Sequence, residues 1–152
     1  MRHVLVLATC LLLALGGAAA LAQRQAPVTV EVYKSATCGC CVKWVDHMRA
    51  HGFTVRTTDT DKMTEVKAKL GVPQPVQSCH TAQVGGYVLE GHVPAADVQR
   101  LLKERPAIAG LAVGGMPVGA PGMEVPGTKP DAYDVLAFDK GGRTTVFSRQ
   151  NR

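Results

Sequence analysis

Three cysteines within four residues constrain this chain more than any other feature of its sequence. They lie in the segment Thr37-Cys38-Gly39-Cys40-Cys41, between a predicted strand and a predicted helix. Adjacent Cys40 and Cys41 cannot easily pair with each other, and a bridge between Cys38 and Cys40 would close only a small, strained ring. The cluster therefore indicates a chemical site at the end of a strand rather than a set of structural disulfides.

The segments that surround the cluster alternate between strand and helix patterns. Val28–Tyr33 alternates apolar and polar residues as a half-buried strand does, and Phe53–Thr57 is predicted to be a second short strand. Between 41 and 51 the apolar residues recur at helical spacing, and Gly52 is a natural stop. A shorter helix is predicted for Thr64–Leu70. This order of strand, cysteine loop, helix, strand and helix is the opening of a thioredoxin-like α/β domain.

The segments that follow complete such a domain. Prolines predict an extended segment at Val72–Pro75, because proline fixes its own torsion and restricts its neighbour. A hairpin is predicted for Ser78–Val84 and Tyr87–Glu90 around a pair of glycines, and a helix for Ala95–Arg105. The resulting β-α-β-α-β-β-α order predicts a sheet that is covered by helices.

The character of the sequence changes beyond Pro106. Ala109–Pro130 is rich in glycine and proline and contains two methionines, so we predict a loop that lies over the domain. Tyr133–Phe138 and Thr144–Phe147 flank a glycine-containing turn and predict a terminal β-hairpin. Residues 28–152 are thus predicted to be a single thioredoxin-like α/β domain with a Gly/Pro/Met-rich loop and a C-terminal hairpin.

The first residues have the pattern of a secretory signal. A short basic start precedes an apolar run, Val4–Leu15, which is too short to span a bilayer and leads to small residues up to Ala22. We predict a signal peptide at 1–22, a flexible segment at 23–27, and an exported protein without stable membrane insertion after cleavage. An uncleaved N-terminal anchor is the alternative. Cys10 lies inside the apolar run and is interpreted as a small hydrophobic residue of the signal.

The charge of the chain argues against a nucleic-acid partner. Its 17 Lys and Arg residues exceed its 12 acidic residues only modestly, for a formal net charge of +5, and aromatic residues make up 5%. No long basic run is present in the sequence. The chain therefore lacks the electrostatic stripe and the stacking platform that nucleic acids require.

The position of the cysteine cluster allows two kinds of chemistry. The start of a helix favours anions, so thiols there are expected to have a lowered pKa. Thiolates attack disulfides, which would use Cys38 and Cys41, and they also bind soft metals such as copper(I), zinc or iron–sulfur clusters. Cys79 follows the proline-rich segment and could supply a fourth sulfur from the hairpin. A disulfide between Cys79 and one of the three clustered cysteines is the structural alternative.

Other candidate ligands lie near Cys79 and in the loop. His80 can face the same metal as Cys79 only if the backbone turns there, because neighbouring residues of a regular strand point to opposite faces. His92 lies in the loop before the third helix and is a second candidate. Met116 and Met123 carry thioethers that suit copper(I), although methionine is also a common gap-filler. His47 is predicted to be a solvated residue.

A family resemblance rests on motifs that run from about Val28 to Phe147. These motifs are Tyr33-Lys-Ser-Ala-Thr-Cys-Gly-Cys-Cys41 with Trp44, Gly71-Val-Pro73, Ser78-Cys-His-Thr81, Gly86-Tyr87, Glu90-Gly-His-Val-Pro94, Arg105-Pro106, Gly110-Leu-Ala-Val113, Gly115-Met-Pro117 and Pro121-Gly-Met-Glu124. They closely resemble the CopG-like family, bacterial envelope proteins long labelled a domain of unknown function and associated with copper resistance. Gly114 and Ala120 depart from the family pattern, but both lie in the Gly/Pro/Met-rich segment 109–130, which we call the methionine loop.

The resemblance implies a thioredoxin-like fold, a periplasmic location and copper as the bound metal. By position, the metal ligands would be Cys38, Cys40, Cys41 and Cys79, with redox cycling between copper(I) and copper(II) as a further implication. More than one copper ion can be held if sulfurs bridge. Expected partners are copper ions and other envelope copper-handling or efflux proteins.

Three functions therefore remain open at the level of the sequence. The first is a copper-binding protein of copper resistance, with or without oxidoreductase activity. The second is an envelope thiol–disulfide oxidoreductase that uses Cys38 and Cys41, although Cys40 and Cys79 would then be spare thiols. The third is a structural zinc domain with an all-cysteine site, although paired C-x-x-C knuckles are missing.

Overall fold

The computed structural model describes residues 28–152. The predicted signal peptide at 1–22 and the predicted flexible segment at 23–27 lie outside this range. Within it, the chain forms a mixed α/β domain with three α-helices and one seven-stranded sheet. The order of the strands in the sheet is β2-β1-β3-β4-β5-β6-β7.

The first half of the domain is a parallel β-α-β unit. Strand β1 (Thr29–Lys34) pairs in parallel with β2 (Thr54–Asp59), and helix α1 (Gly39–Ala50) connects them. The side chains of β1 alternate between half-buried and buried because successive residues of a strand point to opposite faces. The buried face of α1 carries Trp44 and Met48, at the helical spacing that the sequence predicts.

A short helix and a hairpin follow. Helix α2 (Met63–Lys69) is followed by a 3₁₀ turn at Gln74–Val76, which overlaps the predicted extended segment Val72–Pro75. Pro73 is extended as predicted, but the prediction is wrong at Gln74 and Pro75, because a proline near the start of a short helical turn already has the torsion that the turn needs. Strands β3 (Thr81–Val84) and β4 (Tyr87–Glu90) then form the predicted hairpin, but the first strand begins at Thr81 rather than at the predicted Ser78.

Strand β3 places the hairpin beside the cysteine-bearing unit. It pairs antiparallel with β1, so the residues before β3 lie next to the residues after β1. Helix α3 (Ala95–Glu104) follows β4, and its buried face includes Val98 and Leu101. The cysteine loop and Cys79 therefore meet at one end of adjacent strands.

The C-terminal part extends the sheet. Strand β5 (Gly110–Ala112) lies within the predicted loop 109–130, and it pairs with β4 on one side and β6 on the other. The predicted terminal hairpin is β6 (Tyr133–Phe138) and β7 (Thr144–Gln150). Within residues 28–152, no helix combines the length and the apolar character needed to cross a membrane.

Candidate metal centre

The cysteine cluster lies at the start of α1. Cys38 is the residue that precedes the first turn, and its backbone N–H donates to the carbonyl of Ser35 at 3.1 Å. A disulfide joins Cys38 to Cys41. Cys41 is buried, whereas Cys40 is half-buried and has a free thiol. The structure thus shows the oxidised form of the C-x-x-C pair that the sequence offers for redox chemistry.

The structure brings the fourth cysteine to this cluster. The Sγ atom of Cys40 lies 3.5 Å from that of Cys38 and 3.9 Å from that of Cys79. The sulfurs of Cys38, Cys40, Cys41 and Cys79 all lie within 4.8 Å of one another. Cys79 therefore does converge with the cluster, and it has a free thiol, so it forms no disulfide with the three clustered cysteines.

Two histidines form a second donor group around the same Cys79. Its Sγ lies 3.2 Å from Nδ1 of His80 and 3.1 Å from Nε2 of His92. One donor atom from each of these three residues falls within 4.8 Å of the others. The backbone bends at Cys79 before β3 begins at Thr81, so adjacent side chains can share one centre. Cys79 is common to both donor groups.

Neighbouring residues fix the orientation of the two rings. His92 Nδ1 lies 2.8 Å from the carbonyl oxygen of Pro121, so it carries the proton and donates, which leaves Nε2 as an acceptor toward Cys79. The His80 ring packs against Trp44, with centroids 4.4 Å apart. Trp44 is held in turn by a hydrogen bond from its Nε1 to the carbonyl of Val93.

Burial keeps this group uncharged in the absence of a metal. Burial, with the nearby Cys40 as a second cause, raises the pKa of the Cys79 thiol to about 12. Burial also lowers the pKa of His80 well below its usual value, as do His92 and Lys67, and burial lowers the pKa of His92. A protonated thiol and two neutral imidazoles result. The lowered thiol pKa expected at the helix start does not apply to Cys38 and Cys41, because a disulfide has no thiol proton.

The donor set fits a soft metal ion. The atoms that face one another are Cys79 Sγ, His80 Nδ1 and His92 Nε2. The other ring nitrogen of His80, Nε2, is buried and has no hydrogen-bond partner among the residues that the structure describes. Thiolate and imidazole are both ligands that copper and zinc accept. A metal ion would displace the proton of Cys79 and compensate the negative charge of the resulting buried thiolate. Binding should therefore release a proton.

The methionine loop contacts the site through its backbone. A Cβ at Gly122 would lie 2.8 Å from the carbonyl oxygen of Cys40 and 2.8 Å from the backbone nitrogen of Trp44, so the loop packs closely on the start of α1. Met116 is 54% exposed and Met123 is half-buried. Neither thioether is needed for these contacts, and a ligand role for the two methionines stays a prediction.

Sequence reasoning missed Glu90 and Lys67. Both side chains are buried, and Lys67 Nζ donates to Glu90 Oε1 at 2.5 Å. Glu90 also accepts from the backbone N–H of Ser78 at 2.6 Å and from the hydroxyl of Thr81 at 2.7 Å. The Glu90-Gly91-His92 motif was the one signal in the sequence that pointed to this residue.

The prediction that His47 is a solvated residue is wrong. Its ring is half-buried, and Nε2 accepts the backbone N–H of Ala95 at 3.1 Å, at the start of α3. The ring also packs on His51, with centroids 4.3 Å apart. Helical spacing places His47 beside the polar face of α1, but it does not reveal that α3 begins there.

Comparison with known proteins identifies the family. A family model described as "Protein of unknown function, DUF411" matches residues 76–123. Two solved structures, described as "Copper resistance protein copG- Form 1" and "Copper resistance protein copG- Form 2", are 43% and 44% identical to this chain, with TM-scores of 0.78 and 0.77. The matches cover 84% and 82% of this chain and 100% and 98% of those chains.

The chain belongs to the CopG family. A comparison with curated proteins gives no match. The family model spans the CopG segment that carries Cys79, His80 and His92, and it begins after the three clustered cysteines. The family model and the structural relatives thus together span both halves of the candidate site.

Proposed function

We propose that this CopG-family protein binds copper(I) through Cys38, Cys40, Cys41 and Cys79 and serves copper resistance. The observation that carries the proposal is the convergence of four sulfurs from two separate segments within 4.8 Å. Thiolates prefer soft ions, and copper(I) is the softest of the candidates. The two related structures are described as copper resistance proteins, which supports copper over zinc.

Full use of the four sulfurs requires reduction of the Cys38–Cys41 disulfide. A dithiol reductant supplies two electrons and two protons, becomes a disulfide itself, and converts Cys38 and Cys41 into two thiols. Each thiol then releases its proton when a metal ion binds. Sulfurs that lie this close together can bridge more than one copper(I) ion. We therefore propose that the reduced protein is the form with the larger copper capacity.

The Cys79–His80–His92 group is proposed as a second part of the same site. Its imidazole nitrogens are ligands that copper accepts in either oxidation state, whereas the sulfur group favours copper(I). Because Cys79 belongs to both groups, an ion there would adjoin the sulfur cluster. This arrangement supports a site that tolerates a change between copper(I) and copper(II), and Met116 and Met123 are proposed as additional ligands of the loop.

The proposal also covers the fold type, the cellular location and the partners of the protein. The order β1-α1-β2-α2-β3-β4-α3 supports classifying the domain as thioredoxin-like. The apolar N-terminal segment supports a signal peptide at 1–22 and a periplasmic location. In that compartment the expected partners are copper ions and other copper-handling or efflux proteins of the envelope.

Removal of Cys79 tests the four-sulfur assignment. In anaerobic, fully reduced protein, Cys79→Ser should lower the amount of copper(I) bound per chain sharply, because both donor groups lose their shared sulfur. Ultraviolet thiolate-to-metal absorption and metal analysis measure the amount bound. Val42→Ser, an exposed position beside the cluster, is the matched control and should bind as the parent does. Equal binding by Cys79→Ser and the parent would refute the assignment.

The Cys38–Cys41 disulfide specifically favours a second candidate function, thiol–disulfide exchange. An insulin-reduction assay separates the two functions. If copper binding is the function, turnover should be negligible in the parent. Robust insulin reduction that persists in Cys79→Ser and disappears in Cys41→Ser would instead establish the oxidoreductase, since Cys79 has no role in a simple C-x-x-C exchange.

A further inference from the structure

A buried acid lies beside the segment that carries Cys79 and His80. We propose that Glu90, supported by Lys67, is a positioning residue that holds this segment so that the Cys79 thiol and the His80 ring face one centre. The inference rests on the copper site proposed above, and it assigns to the Glu90–Lys67 pair a task in that site beyond folding.

The contacts of Glu90 bracket the two ligand residues. One carboxylate oxygen accepts the backbone N–H of Ser78 at 2.6 Å, and the other accepts the hydroxyl of Thr81 at 2.7 Å. Cys79 and His80 lie between these two residues in the chain. The carboxylate thus holds both ends of a four-residue segment whose middle residues face the candidate metal centre.

The first three residues of this segment need such support because they belong to no helix or strand. Ser78, Cys79 and His80 lie between the 3₁₀ turn at Gln74–Val76 and β3, which begins at Thr81. Among these three residues, the backbone bond to the hairpin runs from Gly91 N–H to the carbonyl of His80 at 3.0 Å. In a regular strand Cys79 and His80 would point to opposite faces. The backbone must bend here so that the Cys79 and His80 side chains both face the candidate metal centre. The hydrogen bond from the Ser78 amide to Glu90 holds this bend.

Lys67 offsets the free-energy cost of burying the Glu90 carboxylate. It reaches from α2 and donates to Glu90 at 2.5 Å and to the Thr81 hydroxyl at 3.0 Å. Replacement of both members of such a buried pair by well-packed apolar residues is often neutral or stabilising, so folding stability alone does not explain the pair. The hydrogen bond from the Ser78 amide to Glu90, next to the candidate ligand Cys79, supports a positioning task instead.

The same segment is tied to the methionine loop. The hydroxyl of Ser78 donates to the carbonyl of Gly115, and the backbone N–H of Gly115 donates to the carbonyl of Gln77 at 3.3 Å. Displacement of Ser78 would therefore disturb the loop as well as Cys79. The effects of Glu90 should extend to the orientation of the whole donor group rather than to one side chain.

Two double variants test the proposal. Glu90→Leu with Lys67→Met replaces the pair by apolar side chains and removes the acceptor for the Ser78 amide. Glu90→Gln with Lys67→Met removes the same charges but keeps a carbonyl acceptor. Asp97→Asn is the matched control, because Asp97 is a buried acid that accepts from Ser148 and Gln150 and shares no hydrogen bond with Cys79, His80 or His92.

Two measurements are made on each protein. Copper(I) affinity is measured anaerobically by competition with a chromogenic chelator, and amide hydrogen exchange at Ser78–His80 is measured in the metal-free protein. The Glu90→Leu/Lys67→Met variant should bind copper(I) about 10–100-fold more weakly, as is typical when a residue that orients a ligand is lost, and should exchange faster at Ser78–His80. The Glu90→Gln/Lys67→Met variant should lie closer to the parent in both measurements, and Asp97→Asn should match the parent.

Either of two outcomes overturns the proposal. One is parent-like affinity and exchange in Glu90→Leu/Lys67→Met, and the other is equal loss in both double variants, which would point to charge rather than the Ser78 hydrogen bond. If Glu90→Leu/Lys67→Met does not fold, Ser78→Pro removes the same amide donor, and Gln77 already has the extended backbone required before proline. Parent-like affinity in Ser78→Pro also overturns the proposal. Failure of the parent itself to bind copper refutes the proposed function, while the exchange data still decide the role of Glu90.

Discussion

The chemistry of this protein depends on single side chains whose roles differ in how visible they are in the sequence. Cysteine has few functions, so the crowding of Cys38, Cys40 and Cys41 predicts a site directly, and Cys79 follows as its only remaining partner after the predicted signal. No comparable sequence pattern predicts a site at Glu90. The positioning role proposed for Glu90 depends on a lysine 23 residues away and on a backbone amide 12 residues away, contacts that form only when α2 and the hairpin pack together.

His47 leads to a prediction about pH. Burial, with the neighbouring His51 as a second cause and Glu124 opposing, lowers the pKa of His47 below its usual value of 6.5. As the pH falls below about 6.5, the unfolded chain therefore takes up this proton before the folded protein does. The contribution of His47 to stability is present above that pH and is lost as the pH falls toward its folded-state pKa. Protonation also removes the acceptor for the Ala95 amide.

The free energy of unfolding, measured by urea denaturation between pH 7 and pH 5, checks this effect. The parent should lose more stability over this range than His47→Gln, which has no proton to gain. His80 and His92 also have a lowered pKa, but they are present in both proteins and cancel in the difference. His47→Leu also loses the acceptor for the Ala95 amide at the start of α3. Its free energy of unfolding at pH 7 should therefore be lower than that of the parent by about 1 kcal/mol. Identical pH profiles for the parent and His47→Gln would show that His47 does not titrate in this way.

At the scale of elements, periodicity locates the helices and the longer strands but not the short connections. The apolar spacing of α1 and the alternation of β1 both reappear as buried faces. Strand β5 has only three residues, all buried, so it has no alternation to detect. It also begins with Gly110, where a Cβ would lie 2.7 Å from the ring of Phe138. The sequence predicts a loop at Gly110, but the close packing of the sheet is what requires glycine there.

The contact between the methionine loop and α1 can be tested with glycine substitutions. Gly122 and Gly127 both have a positive φ, +86° and +77°, so alanine is strained at either position. A methyl group at Gly122 would in addition collide with the backbone of Cys40 and Trp44, whereas Gly127 has open space around it. Gly122→Ala should therefore lower the free energy of unfolding by about 1–3 kcal/mol more than Gly127→Ala.

Chemical denaturation of both variants measures that difference, and the copper affinity of each adds a functional result. Displacement of the loop should also release His92, because its Nδ1 donates to Pro121 next to Gly122. Gly122→Ala should accordingly weaken copper binding while Gly127→Ala does not. An equal loss of stability in the two variants would mean that the loop does not depend on its contact with the start of α1.

For the molecule as a whole, the arrangement of elements brings residues from separate sequence motifs together in one candidate site. Because β3 lies beside β1, the cysteine loop after β1 and the segment before β3 meet at the same end of the sheet. The sequence predicts the order of elements but not this adjacency in detail, since a pairing between β1 and β3 joins residues about fifty positions apart. The Cys38–Cys41 disulfide depends on local geometry instead, because the start of α1 brings these two residues close enough to pair.

Copper capacity should therefore depend on the redox state of the whole protein. In the oxidised form the disulfide occupies two of the four sulfurs and leaves Cys40 and Cys79 as free thiols, with His80 and His92 still beside Cys79. The reduced protein should bind more copper per chain than the oxidised protein, as measured by metal analysis after gel filtration under anaerobic conditions. Peptide mass spectrometry after alkylation verifies the state of each cysteine. Replacement of both Cys38 and Cys41 by serine should give the same, lower capacity with or without reductant, because the reducible pair is gone. If the parent binds equal amounts in both states, Cys38 and Cys41 are not copper ligands, and the site consists of the sulfurs and imidazoles that surround Cys79.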